Sequence, residues 1–123
     1  MGNLYQPVYS GEIQNKALGM DVRVFNEKAQ SILNKKGELV CVNPFPSMPL
    51  KFWNDKNNKK FENAYFNKFK NIWYHGDYAK ITNKNGFIIS GRSDTTLNPG
   101  GVRLGTAEIY SEIESFEEIK ESL

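Results

Sequence analysis

Cysteine is nearly absent. Cys41 is the only one in 123 residues, which excludes an internal disulfide and fits a reducing compartment. Its setting, "ELVCV", reads as a buried strand thiol rather than a nucleophile. Histidine is as scarce: His75 stands alone, so no His/Cys cluster is available for a structural metal, and a lone histidine makes no catalytic dyad. Long apolar runs are also missing. None approaches membrane-spanning length, and the opening "MGNLYQPVYSGE" has neither the basic n-region nor the apolar h-region of a secretory leader. The expected address is the cytoplasm, with no membrane partner. Excess charge of one sign is lacking too. A net charge of +2 is too weak an imbalance to imply nucleic acid or an anionic surface by itself. Internal repeats and low-complexity linkers are not seen.

What is present is ordinary globular composition, 39% hydrophobic and 24% charged, enough for one domain at most. Charge is unevenly placed. Residues 51–74 hold six lysines and eight aromatics, whereas residues 108–123 hold six glutamates and one lysine. The first third reads as β-structure. "GEIQNKA" and "MDVRVFN" are short segments, the second alternating Val22 and Val24 with Asp21 and Arg23. "KKG" turns the chain into "ELVCVN", a near-continuous apolar strand. Pro44, Pro46 and Pro49 make "PFPSMP" an extended loop. Phe61, Tyr65 and Phe69 recur at i, i+4 and i+8, which predicts a covering helix near 58–70. "YAKIT-NKNG-FIISGR" predicts a hairpin turned at Asn85-Gly86, both tolerant of positive φ. "NPGG" is a further turn and "VRLG" a short strand. Thr106 can cap a helix from about Ala107 whose first turn holds Glu108. Its apolar stripe, Ile109, Ile113, Phe116, Ile119 and Leu123, calls for a partner.

The hairpin also sets out chemistry. "HGD" begins one strand and "GRSD" ends its partner, so antiparallel pairing brings Asp77 and Arg92 to the same end of the ribbon. A carboxylate accepts from two vicinal hydroxyls, and a guanidinium donates in a fixed fork to hydroxyl or phosphate oxygens. This is a nucleotide-holding edge, or, on the blander reading, a Gly-Asp turn with Arg92 paired to some carboxylate. Gly100-Gly101 either needs positive φ or lets a ligand pass close to bare backbone. Arg103 either meets a phosphate or lies on a wet strand face. Asp94 is a turn-former or a pivot between two rigid parts. His75 is a satisfied polar residue beside the turn. Lysines among aromatics in 51–74 would suit single-stranded nucleic acid, but the shared face of Phe61, Tyr65 and Phe69 reads as core. The expected partners therefore include no nucleic acid.

Taken in order, Gly76-Asp77, Gly91-Arg92, Asp94, Gly101, Arg103 and Glu108-Ile109 resemble the "GD", "GR.D", glycine-turn, arginine and "EI" series of the adenylate-forming acyl-CoA ligases. The similarity runs from about "PVYSGEIQNKALGMDV" to the end, and several motifs in register are a specific signal. The wording of "GELVCVNPFPSMPLKFWND", "WYHGDYA" and "GRSDTTLNPGGVRLGTAEIY" resembles members that act on acetoacetate, with acetate or propionate as the alternative acid.

The resemblance implies roles. Asp77 would hold the ribose hydroxyls of ATP and of the acyl-adenylate, Arg92 would assist there, and Arg103 would contact the phosphate. Asp94 would be the hinge of a C-terminal lid, and Gly101 would leave room for the pantetheine arm of coenzyme A. Tyr74 reads as a packing residue. Mg-ATP and coenzyme A would be co-substrates: the acid attacks the α-phosphate, pyrophosphate leaves, and the coenzyme A thiolate then displaces AMP. Family members are several-fold longer. The phosphate loop, acyl pocket and magnesium-contacting motif fall upstream of these residues, and the lid's catalytic lysine falls downstream. The expectation is therefore a piece of a ligase, 1–93 from the end of the large domain and 94–123 the hinge and start of the lid. It would carry no catalytic residue and no bound metal, and is expected to be either one part of a split ligase, active only with a complementing chain, or a non-catalytic nucleotide-binding or protein-interaction remnant. The fold class expected is α+β and β-rich, a partial domain of short antiparallel strands with one covering helix and a C-terminal helix.

Overall fold

The computed structural model describes residues 2–94, 96–97, 104–105, 109, 112–113, 115–116 and 118–119. Its centre is a four-stranded antiparallel sheet in the order β1-β2-β3-β4, formed by Val22–Phe25, Gly37–Cys41, Trp73–Ile81 and Phe87–Arg92. One helix, α1 (Lys59–Tyr65), packs against β3. A separate ribbon pairs β5 (Thr96–Leu97) with β6 (Leu104–Gly105). The architecture is α+β and β-rich, as expected.

β-Branched and aromatic residues fill the strands, and both faces of the sheet carry core. Val24, Ala79, Ile81 and Phe87 form one buried cluster, with Val22, Ile32 and Leu39 packed on it. Phe25, Val40 and Phe69 form the other, with Val42, Ile72 and Tyr74 beside it. Two-sided burial explains why β2 is apolar almost throughout. Cys41 is buried as expected, its Sγ 3.4 Å from the Asn43 carbonyl. Burial pushes its thiol pKa up, which disfavours the thiolate.

Four local expectations need correction. "GEIQNKA" forms no strand; Ile13 alone bridges Phe87, with both backbone bonds at 2.8 Å. The helix stops at Tyr65, and Phe66 leaves helical geometry with φ −126°. Phe61 and Tyr65 pack among Phe52 and Trp73, whereas Phe69 packs edge-on to Phe25 in the other core. One helical face cannot serve both surfaces, so the chain breaks between them. The hairpin is wider than a two-residue turn: Ile81↔Phe87 is the last pair, with Thr82 N donating to the Gly86 carbonyl. Only Asn85 takes positive φ there. Gly86 lies under Glu12, whose carboxylate end would have to move to admit a Cβ there.

At the C-terminal end Ile109, Glu112 and Ile113 are helical, but Ser115 and Phe116 are not. Ser115 Oγ donates 2.7 Å back to the Glu112 carbonyl, a side-chain bond that competes with helix continuation. Thr106, Ala107, Glu108 and Leu123 lie outside the described residues. Among the described residues no helix is long and apolar enough to cross a membrane.

Candidate functional site

Two glycines shape the end of the β3–β4 ribbon. In β2–β3 the register shifts between Glu38 and Val40, so that His75, Gly76 and Asp77 lie across from Leu39. In β3–β4 it shifts again between Asp77 and Ala79. The irregular positions are Gly76 (φ 83°) and Gly91 (φ 97°), a conformation that costs an L-residue about 1–2 kcal/mol. Such bulges re-aim neighbouring side chains. Here the two neighbours are Asp77 and Arg92, paired directly across the ribbon.

The side chains meet. Arg92 Nη1 lies 3.5 Å from Asp77 Oδ1, and Asp77 Oδ2 is 2.5 Å from His75 Nδ1. Arg92 also forks onto Asp94: Nε donates 2.7 Å to Oδ1, and Nη2 donates to Oδ2. That second carboxylate holds the Arg92 pKa up, chiefly through its hydrogen bonds, with Asp77 adding to the effect through charge. The Asp77 side chain is 16% exposed, against 48% for Arg92. Gly76 keeps the floor open, since a Cβ there would stand 2.9 Å from Arg92 Nη2 and Asp94 Oδ2. An apolar recess of about 280 Å³, walled partly by Leu39, Cys41, Phe45 and Trp73, opens beside His75.

Of the residues singled out in the sequence, the structure thus brings together Asp77, Arg92 and Asp94. Arg92 faces Asp77 at the ribbon's end, as the antiparallel pairing predicts, and it is paired to a carboxylate, Asp94. Arg103, Gly100 and Gly101 lie outside the described residues. Two features were missed. His75 is more than a satisfied neighbour, because it touches Asp77; the i, i+2 spacing on a strand was the available signal. Tyr74 packs in the core as expected, but its hydroxyl also lies 2.8 Å from Ser93 Oγ. The rings of 51–74 contact one another, with Tyr65 stacked on Trp73 at 3.7 Å, although Trp53 is almost fully exposed. Among the described residues no group of three or more His, Cys, Asp or Glu could hold a metal ion.

Chemically, each Asp77 oxygen has one side-chain neighbour among the described residues and keeps lone-pair capacity for a hydroxyl, while Arg92 offers donors alongside. Nothing in the cluster is placed as a nucleophile.

No protein-family model matches the chain. Among curated proteins, acetoacetyl-coenzyme A synthetase of Rhizobium meliloti (strain 1021) is 52% identical over 123 residues, covering 100% of this chain and 19% of the relative. The acetoacetyl-CoA synthetase of Macaca fascicularis is 54% identical over 122 residues, covering 98% and 18%. Among solved structures, acetoacetyl-CoA synthetase from Streptomyces lividans superposes with TM-score 0.79 at 42% identity, over 95% of this chain and 18% of that one. An anthranilate CoA ligase solved with anthranoyl-AMP gives TM-score 0.64 at 17% identity, over 93% and 21%, a likeness of fold alone. The chain spans about a fifth of the length of the relatives it matches. Over that span, the chain is a homologue of the acetoacetyl-CoA synthetases.

Proposed function

We propose that this chain supplies the ribose-gripping edge and the hinge of an ATP-dependent acetoacetate–CoA ligase. Such a ligase converts acid, ATP and coenzyme A to acyl-CoA, AMP and pyrophosphate through an acyl-adenylate. The observation that carries the reading is the Asp77–Arg92 register pair, with Nη1 3.5 Å from Oδ1 at the open end of a bulged ribbon. Asp77 accepts the vicinal ribose hydroxyls, Arg92 donates beside it, and His75 orients the carboxylate. Holding the sugar fixes the α-phosphate relative to the incoming acid, the positional part of such catalysis. Arg103 on the phosphate and Gly101 beside the pantetheine arm rest on the family resemblance. Acetoacetate is the acid in the relatives' names, with acetate and propionate behind it.

The division at residue 94 is supported by where the sheets change. The four-stranded sheet ends at Arg92, and a separate two-stranded ribbon begins at Thr96. Asp94 stands between them as the pivot, with 1–93 assigned to the large domain and 94–123 to the hinge and lid. The acyl pocket, phosphate loop and catalytic lysine belong to the remainder of the ligase, carried by a complementing chain if not by this one. Leu4, Tyr5, Leu50 and Trp53 are all more than nine-tenths exposed, apolar surface suited to such a partner. Magnesium comes with ATP by resemblance, and no step is assigned to it at the described residues.

Isothermal titration of the chain with AMP, wild type against Asp77→Ala, tests the grip. The expected result is measurable binding that falls at least about tenfold in the variant, the loss of charge-assisted bonds to hydroxyls. Binding indifferent to Asp77→Ala overturns it. Pyrophosphate release from the 123 residues with ATP and acetoacetate should be absent; robust turnover would refute the division of labour.

A further inference from the structure

Behind the charged edge, on the opposite face of the ribbon, lies a second polar set centred on two side chains that are out of water. Glu38 and Ser93 are each 4% exposed, the only buried polar or charged residues among those described. A buried carboxylate is costly unless its oxygens are paired, and both are. Lys68 Nζ reaches Oε1, and Ser93 Oγ donates 2.6 Å to Oε2. Because Ser93 spends its proton on Glu38, the 2.8 Å contact with Tyr74 is one in which the tyrosine hydroxyl donates. Ser93 is also tied by its backbone, N–H to the Gly76 carbonyl at 2.8 Å.

The placement of Ser93 is the telling point. It sits between Arg92 and Asp94, whose side chains go to the other face and fork onto each other. Holding the middle residue by side chain and backbone fixes where both flanking side chains emerge. Glu38 itself lies at the register shift that sets His75-Gly76-Asp77 across from Leu39. An apolar side chain of similar size would fill the same volume without the desolvation cost. What it cannot do is accept the Ser93 bond. Packing therefore does not account for a carboxylate here, whereas orientation does.

We propose that Glu38, acting through Ser93, is a positioning residue that sets the direction of Arg92 and Asp94 and with it the geometry of the ribose grip. This rests on the ligase reading for its last step only.

The chain has three arginines, Arg23, Arg92 and Arg103, so their Nε–H signals in a ¹⁵N-labelled sample can be assigned by substitution. Arg23, bonded to Asp21 on the far strand, is the internal reference. Ser93→Ala and Glu38→Met should shift the Arg92 signal, leave that of Arg23 in place, and raise the Kd for AMP about tenfold. Glu38→Gln retains an acceptor for Ser93 and should restore the Arg92 signal and the affinity. Rescue by an amide separates positioning from bulk packing. If folded Ser93→Ala leaves the Arg92 signal unmoved, the proposal is overturned. AMP binding that responds to Asp77→Ala but to neither Ser93→Ala nor Glu38→Met overturns it as well. A wild-type chain without AMP affinity, whose Arg92 signal still answers to Ser93→Ala, would sink the ribose reading and leave the positioning role standing.

Discussion

The two faces of one ribbon end hold the same kinds of groups in different media. On the outer face, His75, Arg92 and Asp94 are each about half exposed, and their partners compete with water. On the inner face the Glu38 side chain is 5% exposed, and its bond to Ser93 is buried. The same charge pair is worth several times more in a low-dielectric setting than in water, provided its desolvation is met. The outer set can exchange a protein partner for a ligand hydroxyl at small cost. The inner set cannot, which makes it the reference from which the outer one is aimed.

The largest effect should follow from breaking the inner set. Glu38→Ala leaves the Ser93 hydroxyl without its acceptor and opens a void, while Lys68, 38% exposed, can return to water. The expected loss is about 3 kcal/mol of unfolding free energy, the upper range for a buried polar group deprived of its partner, read from urea midpoints at constant slope. A loss comparable to that of an ordinary surface variant would erase the distinction between the faces.

Next in size is Gly76→Ala, which strikes the boundary between them. Positive φ at 83° costs a side-chain-bearing residue about 1–2 kcal/mol. The new Cβ would also press on Arg92 Nη2 and Asp94 Oδ2, each 2.9 Å away. These are ends of movable side chains, so they give way and stability falls by little more than the backbone term. The grip suffers more than the fold: AMP affinity should disappear while the cooperative transition persists. An alanine variant that binds like wild type would mean that the bulge does not aim Arg92.

Much of this was legible in the sequence. Period-2 alternation marks β1, a near-continuous apolar run marks β2, and the Asn85-Gly86 signal marks the β3–β4 hairpin. Antiparallel pairing then brings Asp77 and Arg92 to the same end of the ribbon, and the structure makes them direct register partners. What escaped detection depends on long-range packing. The stripe Phe61, Tyr65 and Phe69 has a perfect helical period, yet its members serve different cores, and no local rule shows that. Glu38 carries no local signal of its role; its partners lie 30 and 55 positions away in the chain. Gly76 and Gly91 were noticed as motif letters, but that both are bulge positions follows only from the register of three strands.

The smallest effect, and the sharpest contrast, comes from the outer set. Asp94→Ala removes a bidentate partner of Arg92, but both groups are more than two-fifths exposed. Pairs of that kind contribute about 0.5 kcal/mol or less, since water and counter-ions replace most of what is lost. The unfolding midpoint should therefore move little at low ionic strength, and the difference should vanish at 1 M salt, where the screening length falls to about 3 Å. The loss caused by Glu38→Ala, set chiefly by the buried Ser93 bond and the void, which salt does not reach, should largely survive the same conditions. If both losses faded together, the inner network would be solvated like the outer one. Ser93 could not then hold Arg92 and Asp94 in fixed directions.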